Sequence, residues 1–492
     1  MPNRRTVRLP RRLLLASLFA GLSAALPVVA ADFPALAELQ GKGARVSALV
    51  IDLDRGAELF ELNPDSRLSP ASVSKLVTAA AALDAWPADR SFSTRLLSER
   101  GPREGVIEGA ITLHSEGDST LDHQALFSLA VQLRSAGVQQ IKGGITVSTA
   151  PFGPLGCETK DRCDALVKSA TAYNAPLAAV GVDYGNWCVE VRPQRAGEQA
   201  QITSCGGSKL PIPVEGTVAV VPAGRRQTFF LDRYTNAAGD YLKVGGELPV
   251  GGSQQLYRAM SEPSLGAGLL LRETLRAVGT QVDGTVGVSS AWPANGATEL
   301  AQVEGAALKE QLARMLRHSN NYIADLITLN ISVSLGRKPG ALAEASQSLA
   351  DFVARARSSK SPNARPTLFS GSGLTPESRI SAQDLVAVLQ YQYRDARRFP
   401  AFYGGLVVPR EGPYSFLRRG ASEAWLDRVA LKTGTLSEPI SVNSMAGYLR
   451  KKNGGWMAFA VLVNGSPSRR VIPFGTAVDA IRKDLEAILK RY

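Results

Sequence analysis

Histidine is nearly absent from this sequence: His114, His123 and His318 are the three among 492 residues. None forms a His-x-x-x-His pair, which excludes the helical zinc-protease arrangement. No Gly-x-Ser-x-Gly elbow accompanies His318, so a Ser-His hydrolase of that kind is excluded too, and His318 reads as an incidental neighbour of Ser319. Cysteine is also scarce. The four, Cys157, Cys163, Cys188 and Cys205, lack the Cys-x-x-Cys spacing of a zinc site. Apolar runs long enough to span a bilayer are missing after residue 29. Blocks of like charge are missing as well. The net charge of +12 is spread along the chain and five of the positives precede Leu13, which argues against a nucleic-acid partner.

What is present begins at the N-terminus. Arg4, Arg5, Arg8, Arg11 and Arg12 precede an apolar run from Leu13 to Val29, which ends at Ala30 and Ala31. That order predicts a secretory signal peptide over residues 1–31, an uncleaved anchor being the rival reading. In an exported chain four cysteines point to disulfides. Three pairings are open; closeness in sequence favours Cys157–Cys163 with Cys188–Cys205.

At 45% hydrophobic and 20% charged, the remainder suits a large globular protein of two or three domains. Arg45–Asp52 and Ala57–Asn63 read as strands, and Ser69-Pro70 as the start of a helix continued by Leu76–Leu83. Near the other end, Arg428–Lys432, Met445–Arg450 and Trp456–Asn464 read as strands, the last two joined by a hairpin turn. Ile472–Tyr492 reads as a helix with Phe474, Val478, Ile481, Leu485 and Ile488 on one face. That stripe fits a core better than a membrane surface, because the opposite face mixes acids and bases.

Both ends of the chain are thus expected to share one antiparallel sheet flanked by helices. Between them, short strands and turns (Gly105–His114, Ile141–Ser148, Gly216–Pro222, Arg226–Leu231, Tyr241–Leu248) predict a β-rich inserted region over 96–255. The main domain would then be discontinuous, 32–95 and 256–492. Two stretches, Leu133–Gly137 followed by Gly143–Val147 and Leu275–Gly279 followed by Gly284–Val286, both read as helix, glycine cap, strand; shared turn chemistry accounts for the likeness.

Three strings carry chemistry. In Ser72-Val73-Ser74-Lys75 the serine and lysine stand three apart, so on a helix they share a face and the lysine can act as base. A lysine of ordinary pKa is a poor base at neutral pH; burial and a second cation, Lys432, would lower it. In Ser319-Asn320-Asn321 the serine can relay a proton and Asn321 can orient a side chain or hold a substrate backbone. In Lys432-Thr433-Gly434-Thr435 the cation and hydroxyl can bind a carboxylate, Gly434 clears the strand edge, and the Thr435 N–H can join that of Ser72 in an oxyanion hole. Each string alone has an ordinary structural reading: a solvent-facing pair, a helix cap, a strand end.

Together and in this order they resemble the penicillin-recognising serine D-Ala-D-Ala peptidases, in particular the class C low-molecular-mass penicillin-binding proteins of the penicillin-binding protein 4 type. Gly117–Leu121, Tyr173-Asn174-Ala175-Pro176, Gly371-Ser372-Gly373-Leu374 and Met445–Tyr448 extend the likeness over nearly the whole chain. The resemblance implies an α+β transpeptidase-like fold with an inserted accessory region. Ser72 would be the nucleophile and Lys75 the base, with Ser319 and Asn321 as second motif and Lys432, Thr433 and Gly434 as third. It implies a periplasmic enzyme acting on peptidoglycan stem peptides, acylated by β-lactams and using no metal or cofactor. The oligomeric state is left open. Two departures stand out. Ser370 replaces the family's usual Asp, which could alter the cleft rim, and the stretch from Gly434 to Met445 is slightly long. Alternatives are a β-lactamase, for which Glu61-Leu62-Asn63 is a poor candidate because it precedes Ser72, and a non-catalytic wall-binding or β-lactam-sensing module.

Overall fold

The computed structural model describes residues 33–358 and 365–492; the expected signal peptide lies outside them. One compact unit runs from residue 32 to the C-terminus.

Its main sheet has five antiparallel strands in the order Ala57–Leu62, Arg45–Asp52, Trp456–Asn464, Val442–Arg450, Val429–Leu436. The expected pairing of the two chain ends is therefore present. Arg45–Asp52 is buried along almost its whole length because helices cover both faces. Val46, Ala48 and Val50 pack with Ile481, Leu485 and Ile488 of the C-terminal helix Phe474–Arg491. Leu49 and Ile51 point the other way, into a core shared with Leu76, Val77, Leu385 and Leu389. The two-residue period of the strand thus feeds two cores. The apolar stripe of the last helix is core from Val478 onward, whereas Phe474, also expected in it, is 40% exposed and stacks edge-on against Phe416.

Two local expectations need correction. The helix does not start at a Ser69 cap. Asn464 brackets Ser69, accepting from its N–H at 2.9 Å and donating to its carbonyl at 3.1 Å. Ala71 has a positive φ of 47°, Ala71–Val73 form a 3₁₀ turn, and the α-helix is Ser74–Ala85. The strand expected to end at Lys432 continues to Leu436, with Gly434 paired to Ser444. Glycine is tolerated there because the strand is the sheet's edge and another backbone lies against it.

The inserted region contains a second five-stranded sheet, in the order Val286–Ser289, Ile145–Ser148, Ile111–Ser115, Ser93–Ser98, Thr298–Glu304. Its strands reach from 93 to 304, beyond the expected 96–255. The chain leaves and rejoins the main domain at adjacent points: the Gly305 N–H donates to the Phe92 carbonyl and the Leu308 N–H to the Arg90 carbonyl. Strands expected as continuous are broken near glycines: Gly105–His114 becomes Val106–Ile107 and Ile111–Ser115, and Tyr241–Leu248 is divided at Gly246. The two similar helix–glycine–strand stretches lie side by side, Ile145–Ser148 pairing in parallel with Val286–Ser289. Both disulfides are as favoured from spacing: Cys157–Cys163 closes a short loop, and Cys188–Cys205 ties two neighbouring strands. Among the described residues no helix is long and apolar enough to cross a membrane.

Candidate active site

All three strings meet at one cleft. Ser72 sits half-buried in the 3₁₀ turn, and Lys75 is wholly buried in the first turn of the following helix. Lys75 Nζ lies 2.9 Å from Ser72 Oγ, 2.8 Å from Asn321 Oδ1 and 2.7 Å from the Ser372 carbonyl. Asn321 opens the helix Asn321–Ser334, capped by Asn320, whose Oδ1 accepts from the Ile323 N–H. Ser319, with φ of 55°, makes the sharp joint between that helix and Leu308–Arg317. His318 is exposed at the end of the earlier helix.

The sheet's edge strand supplies the opposite wall. Lys432 is buried, and its Nζ donates to Ser319 Oγ at 3.0 Å and to the Thr433 carbonyl at 2.7 Å. Thr433 is half-buried and Thr435 exposed. Gly434 lies against the turn that carries Ser72: a Cβ there would stand 2.7 Å from the Pro70 carbonyl oxygen and 2.8 Å from the Ser72 nitrogen.

Electrostatics follow from this burial. Desolvation, and then the positive charge of Lys432, hold Lys75 well below the ordinary lysine value of 10.5; Arg162 acts in the same direction and Asp325 opposes. Desolvation pushes Lys432 down to about 7. A lysine whose proton is weakened in this way is a better base than an ordinary lysine and can accept the hydroxyl proton of Ser72.

Beside Asn321, sequence reasoning missed the groups that hold Lys75. The Ser372 carbonyl is a main-chain acceptor, marked only by the Gly371–Leu374 string. Asp325, wholly buried, takes the Ser372 N–H at 2.7 Å and pairs with the buried Arg162 at 2.7 Å. Nothing in the sequence distinguishes those two. Ser370 does not reach the cleft rim: it is wholly buried, and its Oγ accepts from the Gly373 N–H and the Thr375 hydroxyl within its own turn. Glu61 lies on the strand at the opposite edge of the main sheet from Lys432, about four strand spacings of 4.8 Å away, so it is remote from Ser72. One group of side chains in the described residues has metal-ligand spacing, His123, Asp183 and Cys188, but the Cys188 sulfur is bonded to Cys205.

An antiparallel sheet with helices on both faces, a large insert, and a Ser–Lys pair facing the sheet edge define the penicillin-binding/β-lactamase-like transpeptidase class of fold. Residues 22–482 match the D-Ala-D-Ala carboxypeptidase 3 (S13) family, and the chain belongs to that family of serine-type carboxypeptidases. It is 28% identical over 449 residues to the D-alanyl-D-alanine carboxypeptidase of Actinomadura sp. (strain R39), covering 86% of this chain and 78% of that one. Its fold is similar to penicillin binding protein 4 (dacB) from Haemophilus influenzae, with TM-score 0.71 and 21% identity over 92% of this chain and 99% of that one. A more distant fold likeness, TM-score 0.51 at 14% identity over 91% of this chain and 93% of that one, is to Bd3459, a predatory peptidoglycan endopeptidase from Bdellovibrio bacteriovorus.

Proposed function

We propose that the protein is an exported, periplasmic DD-peptidase that cleaves D-Ala-D-Ala termini of peptidoglycan stem peptides through an acyl-enzyme on Ser72. The observation that carries this is the 2.9 Å contact between Ser72 Oγ and a buried Lys75 Nζ. Lys75 takes the hydroxyl proton as Oγ attacks the carbonyl carbon between the two D-alanines. The N–H groups of Ser72 and Thr435 receive the developing oxyanion. Lys432 and Thr433 bind the terminal carboxylate. The proton passes from Lys75 by way of Ser319 to the leaving amine, the C–N bond breaks, D-alanine departs, and water then hydrolyses the ester. Asn321 keeps Lys75 aimed at Ser72.

Where the leaving amine belongs to a neighbouring stem, the same step opens a D,D cross-link. A β-lactam carries its scissile amide within a ring, so its leaving amine stays attached and the enzyme is held as the acyl form. On this reading the main domain is 32–92 with 305–492, and the signal peptide 1–31 directs export.

The test is release of D-alanine from a peptide ending in D-Ala-D-Ala. The wild type should release it, and Ser72→Ala and Lys75→Ala should not, with their melting temperatures kept. Equal release by Lys75→Ala would remove lysine as the base.

A further inference from the structure

Lys75 Nζ has three oxygen partners, one of them the nucleophile. The other two, Asn321 Oδ1 and the Ser372 carbonyl, are the fixed points that aim the amine. Neither belongs to the helix of Lys75, and both are held by one segment of the inserted region. On one side the Asn321 Nδ2 donates to the Tyr173 carbonyl at 3.3 Å, which sets the amide so that its oxygen faces Lys75. On the other, Arg162 Nη2 meets Asp325 Oδ2 at 2.7 Å, and Asp325 Oδ1 takes the N–H of Ser372 at 2.7 Å, the residue whose carbonyl accepts from Lys75 at 2.7 Å.

Arg162 lies inside the loop closed by Cys157–Cys163. Thr159 caps its short helix by accepting from the Arg162 N–H, and Arg162 Nε donates to the Ala175 carbonyl at 3.1 Å. Asn174 donates to the Asp161 carbonyl at 3.0 Å. The disulfide loop and the Tyr173–Ala175 stretch are therefore one hydrogen-bonded unit. Arg162 and Asp325 are both wholly buried, so water cannot replace either partner.

We propose that this disulfide-closed loop is a positioning element for the catalytic base: Arg162, acting through Asp325 and the Ser372 peptide, fixes Lys75 beside Ser72. The inference rests on the function proposed above, with Lys75 as base. Electrostatics give it a signature that packing alone lacks. Lys75 is faced by Lys432 from the sheet, Asp325 from the helix Asn321–Ser334 and Arg162 from the loop. Arg162 is itself faced by Glu158 of its own loop, with Glu344 beyond, and by the buried Tyr322. Removing the Arg162 charge leaves Asp325 uncompensated, and Lys75 then holds a proton more tightly.

The experiment measures the second-order rate of acylation by benzylpenicillin as a function of pH. Arg162→Met should lower the neutral-pH rate about 10- to 100-fold, as misplacement of a reacting group does, and move the acid limb to higher pH. The double variant Arg162→Met/Asp325→Asn removes both charges and should return the limb toward its wild-type position. Arg162→Lys keeps the charge but loses the bond to Ala175; it should keep the limb in place at a reduced rate, and it serves as the test if Arg162→Met does not fold. A folded Arg162→Met with wild-type rate and limb would overturn the proposal, as would Arg162→Lys at the full rate. A wild type that benzylpenicillin does not acylate would instead sink the proposed function, so the two failures are distinguishable.

Discussion

Adding one methyl group at Gly434 should disable the enzyme while leaving it folded. A Cβ at this position would stand 2.7 Å from the Pro70 carbonyl oxygen and 2.8 Å from the Ser72 nitrogen, and would also meet Ser444 Oγ. Ser444 cannot swing away freely, because its hydroxyl donates to the Pro70 carbonyl at 2.6 Å. The other two atoms are backbone. Ordinary contact begins near 3.4 Å, so the edge strand must retreat from the turn that carries Ser72 by about 0.7 Å, an overpacking that typically costs about 1 to 3 kcal/mol. That retreat separates the Thr435 N–H from the Ser72 N–H, the two donors proposed for the oxyanion. Loss of one such donor is worth about 100- to 1,000-fold in rate. The assay is acylation by a fluorescent penicillin followed in time, with thermal unfolding in parallel. Gly434→Ala should remain folded, with acylation slowed by that factor. A variant that acylates at the wild-type rate would show that the close approach of strand and turn does not build the oxyanion site.

Two further predictions concern buried charge. Lys432, pushed down to about 7 by burial, is a cation only below that pH. KM for a peptide ending in a free carboxylate should therefore rise as pH increases through about 7, and a flat KM would contradict the role given to Lys432. The unfolded chain keeps this proton up to 10.5, so the contribution of Lys432 to stability increases with pH between the two values. Asp118 sits where the insert joins the main domain: its Oδ1 accepts from the N–H and hydroxyl of Thr120, and Thr120 Oγ1 accepts from the Ala306 N–H. Burial raises its pKa from 3.8 to about 6. A raised folded value means that the stability tied to the protonated group is present below 3.8 and lost as pH rises through about 6. Asp118→Asn should then stabilise the protein by about 3 kcal/mol at neutral pH and by nothing in acid. An equal gain at both, measured by denaturant unfolding, would refute that origin.

Much of this could be read in advance because it is local. Arg45–Asp52 announces itself by β-branched and apolar residues, and Leu308–Arg317 by its period. Ser72 and Lys75 face one another because three residues make nearly one helical turn. Disulfide partners followed from nearness in sequence. What failed was either non-local or carried by the backbone. The pairing of Ser93–Ser98 with Thr298–Glu304 spans about 200 residues, and nothing in either strand names the other. The strand through Gly434 was ended at Lys432, since the close approach of Pro70 and Ser72 to Gly434 is non-local and leaves no mark in the sequence. Ser370, which stands where the family usually has Asp, is wholly buried and closes its own turn by accepting from the Gly373 N–H. Arg162 and Asp325 are an unremarkable cation and anion in sequence; only the fold brings them together and joins them to Ser372.

The central claim is that Ser72, with Lys75 as its base, becomes the acylated residue, and peptide mapping by mass spectrometry after incubation with benzylpenicillin tests it most directly. One penicilloyl adduct should appear on the peptide that contains Ser72, and be absent from Ser72→Ala and from Lys75→Ala. An adduct on another residue, or none on the folded wild type, would contradict it.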